Sequence, residues 1–277
     1  HTKEPYAKRT SHGMILGQNP YYVGNFDTEE EKQEMIAKHG SLALRPSVKM
    51  SKSLGNVVNP DDVIKAYGAD TMRVYIMFIG DFEKTATWSD DAVKGSKRFL
   101  DRVWNLMDRI EEGDAVSQKN EVIVNKTIKK VGSDIDSLKM NTAIAALMTM
   151  VNEFYDKGLS KGDFEVLVQL LSPFAPHIAE EMWEMQGFAA KHGKMAMQMP
   201  WPAYDEAKTV DAIREITVQV NGKLRSSIVV SADADDEAMK AAACADEKIK
   251  RYLEGMEIVK TIVVKGRLVN LILKPQK

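Results

Sequence analysis

The sequence holds a single cysteine, Cys244, in 277 residues. One thiol excludes an internal disulfide and any cysteine-based metal cluster, and it suits a reducing compartment such as the cytoplasm. Long apolar runs are also missing. The longest stretches, such as residues 74–79, fall far short of the roughly 20 residues that a membrane-spanning helix needs, so no membrane partner is expected. No secretory signal opens the chain, and residue 1 is His rather than Met, which reads as a piece of a longer protein. No charge of one sign prevails. A net charge of −2 neither requires nor forbids a nucleic-acid partner, so the clustering of basic residues has to decide. Repeats and low-complexity tracts are absent too. What remains, 44% apolar and 28% charged, is an ordinary globular composition with material for two or three modest cores.

Three regions differ in texture. Residues 1–88 mix short apolar runs with Gly and Pro. Within them Asn59-Pro60-Asp61-Asp62 is a helix start, with a polar cap, an early proline and acids in the first turn, and Gly68 is its stop. Residues 89–210 read as four or five helices with short links, an antiparallel bundle. The first opens at Ser89, carries Val93, Phe99, Leu100, Val103, Met107 and Ile110 inward, and ends at Gly113. The others centre on residues 124–138, on a helix capped at Asn141-Thr142, on one capped by Asp163, and on residues 176–185 after Pro176. Residues 211–277 change period. Ile216, Val218 and Val220 alternate ahead of Asn221-Gly222, a strong hairpin turn. A two-residue turn there would put Leu224 and Ile228 on the wrong face, so a bulge or longer loop is needed. A helix over 233–253 and a second strand pair complete a small α+β domain. The expected fold is multidomain and mainly α.

The chemistry concentrates in Lys49-Met50-Ser51-Lys52-Ser53. Ammonium groups, hydroxyls and free backbone N–H groups on one short loop make a clamp for phosphate oxygens, because charge-assisted hydrogen bonds outweigh neutral ones. Gly55 lets such a loop move. Taken alone, the pentapeptide also fits a solvated turn before a helix.

Those five residues are the KMSKS signature of class I aminoacyl-tRNA synthetases. The segments EPY (4–6), HGMIL (12–16), YYV (21–23), YGADTMR (67–73), WS (88–89), RFLDRVW (98–104), NTAIAA (141–146), PFAPHIAEEMW (173–183) and VQVNGKLR (218–225) resemble, in order, the bacterial leucyl-tRNA synthetases. The resemblance implies the C-terminal portion of an enzyme that joins leucine to ATP and then to tRNA(Leu). It implies a remnant of a Rossmann-type α/β catalytic domain (1–88), a helical bundle of anticodon-binding type (89–210) and a small tRNA-binding domain (211–277). Lys49 and Lys52 would stabilise the leaving pyrophosphate. His12, Gly13, Met14 and Ile15, with Met50, Ser51 and Ser53, would border ATP. His12 departs from the family, where Gln is common. Mg²⁺ would arrive with ATP, and no protein-held metal is expected. A valine or isoleucine synthetase fragment, or a stand-alone tRNA-binding module, is the alternative.

The partner motif His-Ile-Gly-His does not occur in these residues, nor do most of the leucine pocket and the editing domain. Only residues 25–48, with at most a short helix over 29–37, stand where many relatives carry an insert before the lysine loop. His177-Ile178-Ala179-Glu180 imitates the missing motif but reads as a helix start or a buried packing histidine. On the first bundle helix Lys94, Arg98, Arg102, Asn105 and Arg109 share one face, a basic stripe that fits an RNA backbone or simply solvent. The resemblance favours RNA for Arg98 and Arg102. Lys223, Arg225, Lys265 and Arg267 in the last domain suit either an RNA backbone or the protection of strand edges, and the resemblance implies that they hold tRNA. The tryptophans, Trp88, Trp104, Trp183 and Trp201, are expected to pack in cores.

Overall fold

The computed structural model describes residues 10–209, 213–231, 234–264 and 267–275. Lys265, the segment EPY and Lys277 lie outside the described residues. The chain forms two compact units that part between Asp205 and Glu206. No helix among the described residues is long and apolar enough to cross a membrane.

The first unit opens with β1 (Ile15–Gln18), α1 (Glu29–His39), β2 (Ser47–Lys49), α2 (Pro60–Tyr67), α3 (Ala69–Phe78) and β3 (Ala86–Thr87). The three strands make one small sheet in the order β2-β1-β3, antiparallel on one side and parallel on the other. Helix α2 starts and stops at its sequence signals. The Asn59 side chain accepts the Asp61 N–H at 3.2 Å, and Gly68 ends it with φ +91°, where L side chains are strained. Helix α1 runs two residues past the expected end at 37, opened by a reciprocal Thr28–Glu31 capping box.

The bundle follows: α4 (Asp90–Asn105), β4 (Ile110–Glu111), α5 (Glu121–Asp136), α6 (Met140–Lys157), β5 (Leu159–Ser160), α7 (Lys161–Leu171), α8 (Pro176–Met185) and α9 (Phe188–His192). Ser89 caps α4 through the Ala92 N–H, and its own N–H donates to the Tyr75 hydroxyl at 2.8 Å. Burial pushes the pKa of that hydroxyl up, which keeps it neutral. Three expected helix limits shift. Helix α4 ends at Asn105, because residues 106–109 tighten to a 3₁₀ turn and 110–111 pair with β5. No side chain caps α6, since the Thr142 hydroxyl donates to the Asp134 carboxylate instead. Helix α7 is capped by Ser160, with Asp163 answering from the third position.

One buried cluster joins Phe99, Val103, Leu147, Phe154, Phe164, Leu167 and Trp183, and Val74 of α3 belongs to it. The expected step at 88/89 therefore lies inside a compact unit. Full burial of such a side chain contributes about 1.5–3 kcal/mol, so Val74 ties α3 to the bundle, while Tyr75 packs with Val63 and Val93 in a second cluster. Trp183 is buried, Trp104 packs at the core's edge, and Trp88 meets Tyr75 edge-on at 4.7 Å. Trp201 is the exception. It is 42% exposed, because the proline-flanked strap that carries it lies on the surface.

The second unit holds β6 (Ile213–Val220), β7 (Lys223–Ser231), α10 (Asp236–Ala245), α11 (Glu247–Leu253), β8 (Met256–Val264) and β9 (Leu268–Pro275). The turn is Asn221-Gly222, with φ of +50° and +77°. A bulge resolves the face conflict. Val218 pairs with Ser226 but Gln219 with Leu224, so Arg225 is the extra residue. Val218, Val220, Ile228 and Val230 then share the buried face, and Leu224 turns to solvent. The expected single helix breaks at Asp246, whose side chain caps α11. The second strand pair is not separate. β9 lies parallel to β6, giving the order β7-β6-β9-β8.

Candidate functional site

Strand β2 delivers Lys49 to the sheet edge opposite Leu16 of β1. The chain then leaves the sheet as a tight loop. Residues 52–54 form one 3₁₀ turn, the Ser51 hydroxyl accepts the Ser53 N–H at 3.3 Å, and the two hydroxyl oxygens are 2.6 Å apart. Leu54 N–H donates to Ser51 O and Gly55 N–H to Lys52 O. Gly55 closes the loop with φ +64°, a left-handed conformation that glycine adopts without cost. The expected set of free backbone amides is thereby narrowed, not abolished. The N–H groups of Ser51, Ser53, Leu54 and Gly55 are all spent within the loop. What the loop offers an anion is the exposed ammonium groups of Lys49 and Lys52 and the serine hydroxyls.

The expected adenosine side lies on β1 and the residues before it. Gly13 is forced by close approach. Its N–H donates to Phe82 O at 2.8 Å, and a Cβ there would stand 1.9 Å from Lys84 O. His12 is exposed, turns its Nδ1 toward Gly13 O, and meets Phe82 edge-on at 4.9 Å. Met14 is 49% exposed. An open cleft of about 690 Å³ brings Met14 together with Leu16, Leu42, Val48, Lys49, Met50, Ser51 and Leu54. His12, Gly13, Ile15, Lys52 and Ser53 lie outside its lining. Among the described residues no group of three or more His, Cys, Asp or Glu is placed to hold a metal ion.

The basic candidates divide between the two units. Arg98 and Arg102 are exposed one turn apart on α4. Arg102 is held in place: its Nη1 donates to Asn152 Oδ1 at 2.8 Å, and its guanidinium lies 4.6 Å from the Tyr155 ring centre. Arg109 covers the same ring at 4.5 Å, and the Tyr155 hydroxyl donates to Arg102 O. Lys94 is paired with Asp91, whose hydrogen bond raises the lysine's pKa. In the second unit Lys223 follows the hairpin turn, while Arg225 lies over Tyr252 of α11 at 4.8 Å. Arg267 sits in the β8–β9 connection, four residues before the partner of Val220, or about 13 Å along the sheet.

Sequence reasoning missed several positioning residues. Asn56 links the lysine loop to β1. Buried Asn19 donates to Leu42 O and Arg45 O, both at 2.8 Å, and so fixes the segment before β2. Asp70 and Arg73 of α3 grip the α7–α8 connection. Only long-range geometry reveals these roles. His177, read as a helix start or a buried histidine, is a helix start alone. Its side chain is 76% exposed, and its Nδ1 is 2.8 Å from Asp70 Oδ1.

Two family models match the chain: "tRNA synthetases class I (I, L, M and V)" over residues 30–89, which includes the lysine loop, and "Anticodon-binding domain of tRNA ligase" over residues 122–240. Helix α4 lies between them. A leucine–tRNA ligase of Alkaliphilus oremlandii (strain OhILAs) is 44% identical over 272 residues, covering 98% of this chain and 30% of that protein. The structure resembles LeuRS in the ternary LeuRS–tRNA–LeuAMS complex of Agrobacterium radiobacter K84, with TM-score 0.68 and 26% identity over 99% of this chain and 34% of that one. The chain thus spans about a third of the length of the relatives it matches. It is a homologue of leucine–tRNA ligase, matching the C-terminal part of that class I synthetase and its anticodon-binding domain.

Proposed function

We propose that the chain supplies the triphosphate clamp and the tRNA-holding parts of a leucine–tRNA ligase. In that reaction the leucine carboxylate attacks the α-phosphorus of ATP, and pyrophosphate leaves with the bridging oxygen. Negative charge grows on the departing β,γ-phosphates, so a cation that meets them in the transition state lowers the barrier. Lys49 and Lys52 suit this task, with Lys52 on the outward turn and Lys49 anchored on β2. Met14 and Met50, sharing one cleft, suit the adenosine side. Mg²⁺ belongs to the ATP as substrate. In this reading residues 1–88 are the end of a Rossmann-type catalytic domain, 89–210 a bundle of anticodon-binding type, and 211–277 a further tRNA contact. The cytoplasm is where tRNA(Leu) and the ligase meet.

The observation that carries the reading is the lysine loop, four of its amides spent internally and its two lysines exposed beside a cleft. The test is Lys52→Ala in the complete synthetase. Leucine-dependent ATP–pyrophosphate exchange is expected to fall about 10²–10³-fold, the size of one missing transition-state interaction. An unchanged exchange rate would remove Lys52 from the mechanism. The 277-residue chain by itself is expected to show no exchange.

A further inference from the structure

The strand pairing of β1 and β2 ends where the loop begins, and one side chain takes over from it. Asn56 Oδ1 accepts the Ser51 N–H at 2.8 Å. Its Nδ2 donates to Gln18 O at 3.0 Å, at the end of β1, and reaches Lys49 O at 3.5 Å, at the end of β2. A single amide therefore binds the loop's entry, its exit and the neighbouring strand. The backbone of Asn56 presses on the same strand: a Cβ on Gly17 would lie 2.4 Å from Asn56 O and 3.1 Å from Met50 Cγ.

We propose that Asn56 is the positioning residue of the lysine loop. It acts through the backbone and touches no substrate. By closing residues 51–56 into a ring tied to β1, it makes the turn that carries Lys52 move as one body about that tie. The amide is required for this. Aspartate keeps the acceptor for Ser51 but has no N–H for Gln18 and Lys49, and it sets a negative charge against their carbonyls. Alanine forms none of the three bonds. The role in catalysis rests on the triphosphate reading of the loop; the anchoring itself does not.

Trypsin cleavage after Lys52 in the folded 277-residue chain tests the anchoring. Asn56→Ala is expected to speed this cleavage about tenfold, the effect of removing one or two net hydrogen bonds that oppose a local opening, with Asn56→Asp in between. Cleavage after Arg98 and Arg102 on α4 serves as the control for global unfolding and is expected to stay unchanged. Millimolar inorganic tripolyphosphate is then added as a probe. It is expected to protect the bond after Lys52 in the unaltered chain and to do so only at higher concentration in Asn56→Ala. Equal cleavage rates in all three chains would overturn the positioning role, and so would cleavage that rises equally on α4. Faster cleavage in the variant with no protection of the unaltered chain would uphold the anchoring and remove the triphosphate reading instead.

Discussion

Gly17 marks how tightly the lysine loop is seated. It sits in the middle of β1, is buried, and has no positive φ to explain a glycine. The reason is contact. A methyl group there would meet the backbone oxygen of Asn56 at 2.4 Å, and backbone yields less readily than the end of a side chain. Gly17→Ala is expected to push the loop off the sheet and to cost about 1–3 kcal/mol, the range of overpacking in a closed site. Urea denaturation of the two chains measures it, and equal midpoints would show that strand and loop can part freely. The pentapeptide is legible without a structure because its residue types are themselves the chemistry. Gly17 and Asn56 are not, since nothing about a glycine or an asparagine in sequence says which backbone it will face.

Helix α8 begins after Ala175, which has no side-chain oxygen to cap it. Its cap comes from far away in sequence. The buried Asp70 carboxylate accepts the Ile178 N–H at 2.7 Å, while Arg73, one turn further along α3, donates to Pro173 O and Phe174 O at the end of the preceding helix. One turn of α3 thus satisfies backbone groups at both sides of the α7–α8 connection. Asp70→Ala strands the Ile178 N–H and is expected to cost about 1–3 kcal/mol. His177→Ala removes only an exposed partner of the same carboxylate and is expected to cost less than about 0.5 kcal/mol. Thermal melts of both variants check the asymmetry; equal losses would mean that the His177 pair, not the cap, holds the helix. The same contrast explains which elements the sequence announces. Helix α2 is readable because Asn59, Pro60 and Gly68 are local signals, and α8 because Pro176 is one. The start of α6 differs from the sequence reading because Thr142 spends its hydroxyl on Asp134, and that of α7 because Asp163 sits at the third position and answers the Ser160 cap, while also accepting from Ser117 and Asn120. That some irregularity follows Asn221-Gly222 is legible from the alternation of Val218, Val220, Ile228 and Val230, but only the register shows that it is a bulge at Arg225 and not a longer loop.

At the scale of the whole molecule the two units have separate cores. The cluster around Met239, Val218 and Leu271 shares no residue with the one around Phe154 and Trp183. The anticodon-binding match crosses the boundary between them, running from α5 through β6 and β7 to residue 240. Sequence similarity and packing therefore divide the chain differently, and a truncation separates the two descriptions. Removal of 206–277 is expected to leave the first unit folded, because it takes nothing from that unit's core. Near-ultraviolet circular dichroism should keep the signal of buried Trp183. The same truncation removes Lys223, Arg225 and Arg267, three candidate phosphate-binding residues on the second unit. Binding of tRNA(Leu) is expected to weaken, and its salt dependence to flatten by roughly 0.7–0.9 in logarithmic slope for each phosphate no longer neutralised. Arg98→Ala on the first unit is expected to flatten the slope by about one such step. If the truncated chain holds tRNA(Leu) with the affinity and slope of the whole, the second unit takes no part in holding it, and the basic face of α4 carries the RNA alone.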